Sequence, residues 1–199
     1  MGLAVGTKPK VEERILAATL TIVGERGLEA VTHRAVADEA GVSLGAISHH
    51  FPSRADLLQQ ALRLAAANEV AHLERLALDL QNRAFDTDEW VRAMAQALGG
   101  DLQRNRTRHL AQYELLLACA RDPEMRELSR AWREAHLRVA EVGLRAAGSQ
   151  DPEAHAQLLT AAITGLLLKQ LAYPVRGFTN QVLEPLLRRL VASVVTASP

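Results

Sequence analysis

Thr32 and Ser43 stand eleven positions apart, and each can cap a short helix. Their side-chain oxygens can accept hydrogen bonds from the free backbone N–H groups of a first helical turn. Gly41 stops the first of these helices, so a tight turn separates two short helices, which is the pattern of a helix-turn-helix. The second helix begins with the small residues Gly45 and Ala46. Its backbone can therefore come close to base edges in a DNA major groove, which is about 12 Å wide.

The basic groups near this pattern are few, and they lie beside it rather than within it. His49, His50 and Arg54 follow the second helix, on the flank where phosphates would lie. Residues 1–60 hold six Lys and Arg against seven Asp and Glu, and the whole chain holds 23 of each sign. Affinity for DNA would then depend on charge placement, helix N-termini and an N-terminal arm containing Lys8 and Lys10. We expect few neutralised phosphates and a modest dependence on salt.

The elements that must position these residues are all helices. Strand-like alternation and Asn-Gly or Asp-Gly turns are missing from the sequence, and Ala, Leu, Glu and Arg dominate between sparse Gly and Pro. Gly27 is predicted to end the first helix as a left-handed cap, and Ser53 with Asp56 to form a capping box. Pro185 makes the last helix start late or kink. The predicted helices cover about residues 10–26, 33–40, 44–51, 54–80, 87–98, 107–120, 123–147, 152–173 and 179–197.

Residues 11–58, about a quarter of the chain, resemble the TetR family of transcriptional regulators. The matching residues are Arg14, Ile15, Leu16, Ala17, Ala18, Gly27, Thr32, Arg34, Ala37, Ala40, Gly41, Val42, Ser43, Gly45, Ile47, His50, Phe51, Pro52, Ser53, Leu57 and Leu58. The resemblance implies an all-α fold. An N-terminal three-helix helix-turn-helix head with a short arm (residues 1–55) would precede a C-terminal helical bundle for dimerisation and ligand binding (residues 56–199).

The resemblance also implies a homodimer whose recognition helices enter successive major grooves of a pseudo-palindromic double-stranded operator. Leu44, Gly45, Ala46 and Ser48 would face base edges. Six further residues would contact the DNA backbone or lie at the start of a helix that contacts it: Thr32, Arg34, Ser43, His49, His50 and Arg54. The family usually has Tyr where this chain has Ser48, and this departure leaves the operator sequence open.

Two C-terminal helices are apolar enough to bury a large surface. The helix at 152–173 is apolar on most of its circumference, and such a helix needs to be buried. The candidate dimer residues on it and on the last helix are Leu159, Ile163, Leu166, Leu167, Leu187, Val191 and Val194. Two such helices from each protomer could form a four-helix interface across a two-fold axis. The alternative is an ordinary monomer core.

The sparse aromatic and amphipathic residues of the middle helices would bind the effector. The candidates are Trp90, Met94, Tyr113, Leu117, Met125, Trp132 and His136. Ligand pockets are mostly apolar with a few polar groups, although each of these residues could instead belong to the core. Aromatic residues make up only 4% of the chain, which argues against a broad aromatic cavity.

Other kinds of site are not indicated by the sequence. The seven histidines are scattered and Cys119 is the single cysteine, so we expect no metal, no disulfide and no cofactor. We find no phosphate-binding loop and no nucleophile elbow, so we expect no enzymatic activity. No apolar run reaches the length of a membrane helix, and the N-terminus lacks the apolar region of a signal peptide. A cytoplasmic protein is expected.

Three functional hypotheses remain at this point. The first is a ligand-responsive repressor, in which an unknown small molecule changes the separation of the two heads and releases the operator. The second is an activator or an effector-independent regulator of the same fold. The third is an all-α ligand-binding protein with a vestigial head.

Overall fold

A computed structural model of the protein describes residues 10–81, 84–121 and 126–195. The described residues fold into helices and form no strand, so the predicted fold class is confirmed. The helices are α1 (Val11–Arg26), α2 (His33–Ala40), α3 (Leu44–His50), α4 (Arg54–Gln81), α5 (Thr87–Arg104), α6 (Arg106–Arg121), α7 (Arg126–Ala146), α8 (Pro152–Ala172) and α9 (Glu184–Val195). A 3₁₀ turn covers Leu28–Ala30, and a π-helical turn covers Thr179–Leu183.

The short helices begin where the sequence places hydroxyl and carboxylate caps. Thr32 Oγ1 accepts a hydrogen bond from the Ala35 N–H at 3.1 Å, and Ser43 Oγ accepts one from Ala46 at 3.2 Å. Ser53 and Asp56 bond each other reciprocally at the start of α4, as the capping box requires. These caps satisfy N–H groups that have no partner within their own helix.

Gly27 departs from its prediction. It was expected to end α1 in the left-handed helical conformation, but its φ of 80° is combined with a ψ of 168°. This is an extended conformation with positive φ, which a side chain would disfavour. The chain therefore leaves α1 extended and turns through the 3₁₀ segment toward α2.

One apolar cluster holds the head together. Ile15, Ile22 and Ile47 are fully buried in it, and α4 contributes Leu57 and Ala61. The predicted domain boundary after residue 55 thus falls in the first turn of α4, a helix whose beginning packs in the head. Farther along, Leu62 of α4 packs with Leu115 and Cys119 of α6, so the cysteine is a core residue.

A second cluster forms the body from α5, α7, α8 and α9. Helix α5 was expected to end near residue 98, before two glycines, but it continues to Arg104. Gly99 lies against the π-helical turn, and a Cβ added there would come within 2.1 Å of Thr179 Oγ1. The glycine thus allows two elements to approach closely and does not mark a helix end.

Pro185 is accommodated at the start of α9. The π-helical turn runs directly into α9, and Pro185, which has no backbone N–H, lies just after this irregular turn. The helical segment begins near residue 179, as predicted, and the irregularity before Pro185 is a π-helical turn rather than a late start. Residues 196–199, which the prediction included in this helix, lie outside the described residues.

Candidate nucleic-acid interface

The exposed side of α3 carries the residues predicted to face base edges. Leu44 is 52% exposed at its first position, and Ser48 is exposed farther along. Ala46 is half-buried. On the opposite side, Ile47 is fully buried and anchors α3 in the head. One short helix is thus fixed on one side and open on the other, as reading a groove requires.

Gly45 leaves the backbone of α3 accessible near its N-terminus. A Cβ added there would meet nothing closer than Ser43 Oγ at 3.9 Å, so the glycine is not required by packing within the head. The space in front of it is open, and any larger side chain would extend into it. The lack of a side chain at residue 45 therefore favours close approach of another molecule.

Arg14 positions the turn between α2 and α3, although the sequence analysis gave it no functional role. Its Nη2 donates hydrogen bonds to the carbonyl oxygens of Ala40 at 2.5 Å and Gly41 at 3.1 Å. Gly41 has a φ of 62° and a ψ of 43°, the left-handed conformation that favours glycine. The guanidinium thus satisfies carbonyls at the end of α2 and fixes the angle at which α3 leaves the turn.

Arg54, predicted to contact a phosphate, makes hydrogen bonds inside the head, and its phosphate contact stays a prediction. Its Nε donates to the Val31 carbonyl at 2.9 Å, and its Nη2 donates to the Leu28 carbonyl at 2.6 Å. Glu29 lies 3.7 Å from the same guanidinium. These contacts fasten the first turn of α4 to the segment before α2, while the Arg54 side chain remains 43% exposed.

The remaining basic groups of the interface are sparse. Arg26 pairs with Glu39 at 3.4 Å, whereas Arg34 is exposed and has no ion-pair partner within the described residues. His49 and His50 are exposed with ring centroids 5.3 Å apart. Arg34 is therefore the head's arginine best placed to neutralise a phosphate. Lys8 lies outside the described residues.

The predicted effector residues do not converge on one pocket. Trp90 is 8% exposed and packs so closely on Gly143 that an added Cβ would lie 2.2 Å from Trp90 Cζ2. Leu117 is 55% exposed on the outside of α6. Trp90 is thus a core residue and Leu117 a surface residue, and their part in effector binding stays a prediction. Met94 packs against the body core, and Met125 lies outside the described residues.

The other three candidates lie in two separate places. The Tyr113 hydroxyl donates to the Thr164 carbonyl of α8 at 3.0 Å, and burial raises the pKa of Tyr113 to about 12. Trp132 and His136 are neighbours on α7, with ring centroids 6.1 Å apart. His136 faces Glu69 of α4 at 3.7 Å, a residue that the sequence analysis did not single out.

Four of the seven residues predicted at the dimer interface are buried within the protomer, and the choice of α8 and α9 for the interface stays a prediction. Leu159, Leu167, Leu187 and Val191 are at most 6% exposed, so they pack within the protomer and cannot contact a partner. Ile163, Leu166 and Val194 are half-buried against the same core. The exposed residues of α8 include Leu158, Ala161, Gly165 and Leu168, at the 3-4-3 spacing of a helix-pairing seam. We call these four residues the α8 seam.

An apolar groove runs beside the α8 seam. It has a volume of about 550 Å³ and lies between α8 and α9, with Lys169 and Arg189 among its lining residues. Leu158 and Leu168 are 49% and 47% exposed, and Leu186 of α9 is 41% exposed. Such contiguous apolar exposure is typical of a protein-protein interface.

Two family models match the two parts of this architecture. Residues 15–61 match the model of bacterial regulatory proteins of the tetR family. Residues 85–196, more than half of the chain, match the model of the tetracyclin repressor-like C-terminal domain. The chain belongs to the TetR family. The resemblance found in residues 11–58 is confirmed and extends to the body. The family consists of DNA-binding regulators, so the expectation that the chain is not an enzyme is also confirmed.

Individual curated relatives and solved structures are consistent with this family assignment. It is 44% identical over 66 residues to the HTH-type transcriptional repressor KstR of Mycolicibacterium smegmatis, covering 33% of this chain and 32% of that protein. Matches to the first curated relatives span about a third of their length. A transcriptional regulator from Rhodococcus sp. Rha1 superposes with a TM-score of 0.74 at 26% identity, over 93% of this chain and 96% of that one. The multidrug binding protein EbrR complexed with ethidium superposes with a TM-score of 0.67 at 30% identity, over 91% of this chain and 98% of that one.

Two observations concern other kinds of site. Among the described residues, no group of three or more His, Cys, Asp and Glu side chains is arranged to hold a metal ion. Within the same residues, every helix is too short or too polar to cross a membrane.

Proposed function

We propose that this TetR-family protein is a ligand-responsive repressor that binds a pseudo-palindromic operator as a homodimer in the cytoplasm. The observation that carries the DNA-binding role is the open side of α3. This side exposes Leu44, Gly45 and Ser48, while Ile47 fixes the helix in the head. Leu44, Gly45, Ala46 and Ser48 would contact base edges. Thr32, Arg34, Ser43, His49 and His50 would contact phosphates.

The capping residues can donate a hydrogen bond to DNA while their side chains cap the helices. Thr32 Oγ1 and Ser43 Oγ each accept a backbone hydrogen bond, which leaves the hydroxyl hydrogen for a phosphate oxygen. Both lie at helix N-termini, where backbone N–H groups and the helix dipole favour an anion. These contacts would supplement the small number of arginines available for phosphates.

The proposed homodimer forms through the α8 seam and α9. The exposed leucines of these helices would otherwise face water, and the 3-4-3 spacing suits a second helix packed along α8. Ala161 and Gly165 are small, so the helices of two protomers could approach closely at these positions. A two-fold axis here would repeat the two heads at a fixed separation, which matches a palindromic operator.

Contacts at the first turn of α6 connect the body to the head. Thr107 touches Gly24 of α1, and Arg106 donates from both terminal nitrogens to the Leu171 carbonyl of α8 at 3.2 Å. His109 Nε2 lies 2.7 Å from Asp101 Oδ2 of α5. A change in how the body helices pack would therefore reach α1 through α6, and this supports control of DNA binding by an effector.

Solved relatives support a small-molecule effector for this chain. EbrR was crystallised with ethidium and with proflavin, at 30% and 29% identity to this chain. An effector that binds the DNA-free conformation more tightly would release the operator by population shift. Repression is favoured over activation because curated relatives such as KstR are named as repressors.

The test is fluorescence anisotropy of labelled duplexes tiled from the DNA upstream of the protein's own gene. We expect tight, saturable binding to one pseudo-palindromic tile at roughly 0.1–0.2 M salt, where non-specific binding is weak. A scrambled duplex of the same composition is the control. Equal binding to every tile and to the scrambled duplex would contradict sequence-specific binding.

A further inference from the structure

The exposed side of α3 carries few side chains that can form hydrogen bonds with bases. The helix runs from Leu44 through Gly45, Ala46, Ile47 and Ser48 to two histidines, and it contains no Arg, Lys, Asn or Gln. Those four residue types make the usual bidentate contacts with base edges, Arg and Lys with guanine and Asn and Gln with adenine. The side chains of this helix therefore cannot use the two most frequent forms of hydrogen-bonded readout.

Leu44 is an exposed apolar side chain that packing within the head does not explain. Among residues 10–61, all of which the structure describes, the exposed large apolar side chains are Val11 at 40% and Leu44 at 52%. Leu44 also lies outside the apolar cluster that includes Ile47. It is the first residue of α3, at the end of a recognition helix that contacts base edges in the major groove. A leucine at this place is available to pack against an apolar group of the DNA.

The residues beside Leu44 leave it uncovered. Gly45 has no side chain, and a Cβ added there would meet nothing closer than Ser43 Oγ at 3.9 Å. Ser48 lies one turn farther along the same side of α3 and is exposed, but its side chain is short. The Ser48 hydroxyl can donate or accept a hydrogen bond, so it distinguishes bases poorly. Discrimination among base pairs on this side of α3 therefore depends mainly on what Leu44 contacts.

The major groove offers one apolar group, the C5-methyl of thymine. We infer that Leu44 packs against a thymine methyl in each operator half-site and that this contact selects a T·A pair there. The inference rests on the proposed function and names the base chemistry that the same interface reads. A C·G pair at this position would place the cytosine N4 amino group against leucine, which cannot accept its hydrogen bond.

The test removes this methyl group and nothing else. Deoxyuridine pairs with adenine as thymidine does but lacks the C5-methyl. An operator selected from random duplexes is synthesised with each thymine of one half-site, and its symmetric counterpart, replaced by deoxyuridine in turn. We expect one such pair of replacements to weaken wild-type binding at least about tenfold in fluorescence anisotropy, since a buried methyl group contributes about a factor of four in each of two half-sites. Operator binding that none of the replacements weakens would overturn the inference.

Leu44→Ala then assigns the methyl contact to one side chain. This variant should bind the thymine operator at least about tenfold more weakly than wild type, and it should lose the difference between thymine and deoxyuridine at the identified position. Leu44→Met keeps an apolar side chain of similar volume and should retain most of that difference. A difference that persists in Leu44→Ala would refute the assignment to Leu44.

Val11→Ala is the matched control. It shortens the other exposed large apolar side chain of the described head residues, and it should leave the difference between thymine and deoxyuridine unchanged. Loss of the difference in Val11→Ala as well as in Leu44→Ala would contradict a specific contact of Leu44. Circular dichroism melting curves, which should coincide because both side chains are exposed, check that the variants fold.

Failure of this inference and failure of the proposed function give different results. A protein that selects an operator but does not respond to deoxyuridine keeps the proposed function and loses the thymine contact. A protein that selects no sequence from the random duplexes loses the proposed sequence-specific binding, and the thymine contact with it.

Discussion

Gly24 of α1 lies directly against Thr107 in the first turn of α6, so closely that a Cβ on Gly24 would come within 2.0 Å of the Thr107 carbonyl oxygen. The contact joins the head to the body through backbone, which cannot rotate away as a side chain can. Helix α6 also reaches α8 through Arg106 and α5 through His109. This junction, together with α4, fixes the position of the head relative to the body.

Gly24→Ala should therefore destabilise the protein and weaken operator binding together. We expect a loss of roughly 1–3 kcal/mol in the free energy of unfolding, the usual cost of overpacking. Urea denaturation followed by circular dichroism measures it. Gly100→Ala is the control, because its Cβ would meet only the end of the flexible Arg104 side chain. A similar loss in both variants would point to a general effect of alanine rather than to the junction.

Gly45→Leu should abolish sequence-specific binding without affecting the fold. The position is open in the free protein, so stability should change by less than about 0.5 kcal/mol. On DNA the new side chain would occupy the space of the base edges and weaken operator affinity at least about tenfold. Anisotropy with operator duplex and a melting curve together test this. Unchanged affinity would rule out α3 as the recognition helix.

Arg34→Ala should weaken binding similarly on operator and scrambled DNA, because a phosphate contact carries little sequence information. Because the proposed homodimer loses one phosphate contact in each of its two heads, the plot of log K against log salt should become shallower by about 1.8. Arg26→Ala is the comparison, since Arg26 is already paired with Glu39 within the head. If Arg26→Ala reduced the slope and Arg34→Ala did not, the orientation of the head on DNA would need revision.

Leu168→Glu should convert the proposed dimer to a monomer. The side chain is 47% exposed on the α8 seam, so glutamate is tolerated by the protomer but would place a charge in an apolar interface. Sedimentation equilibrium measures the mass. Leu117→Glu is the matched control, because Leu117 is a comparably exposed leucine on α6, away from the seam. Dissociation caused by Leu117→Glu alone would place the interface elsewhere.

Ionisation of Tyr113 should make the free energy of unfolding depend on pH in the alkaline range. Burial raises its pKa from 10.0 to about 12, so the folded state resists its ionisation. The unfolded chain loses this proton first, and the stabilisation is therefore complete below about pH 10 and is lost as the pH rises toward 12. Tyr113→Phe should reduce the fall in unfolding free energy over this interval. Tyr173→Phe, at a tyrosine that is 76% exposed, should leave it unchanged.

The local sequence determined the head almost completely. Hydroxyl caps at Thr32 and Ser43, the left-handed Gly41 and the Ser53–Asp56 box act over three or four residues, so each helix boundary follows from nearby chemistry. The apolar period of α1 likewise identified Ile15 and Ile22 as core residues. The motif in turn identified the family, and the family models confirm it.

Tertiary structure decided which chemically suitable side chains are available for function. Arg54 is basic and close to the motif, but two of its N–H groups donate to carbonyls distant in the chain. Leu167 and Leu168 are identical neighbours in sequence, yet one is buried in the protomer and the other exposed. Glu69 and His136 meet only because α4 packs on α7. Such pairings join residues far apart in the chain, and no local pattern encodes them.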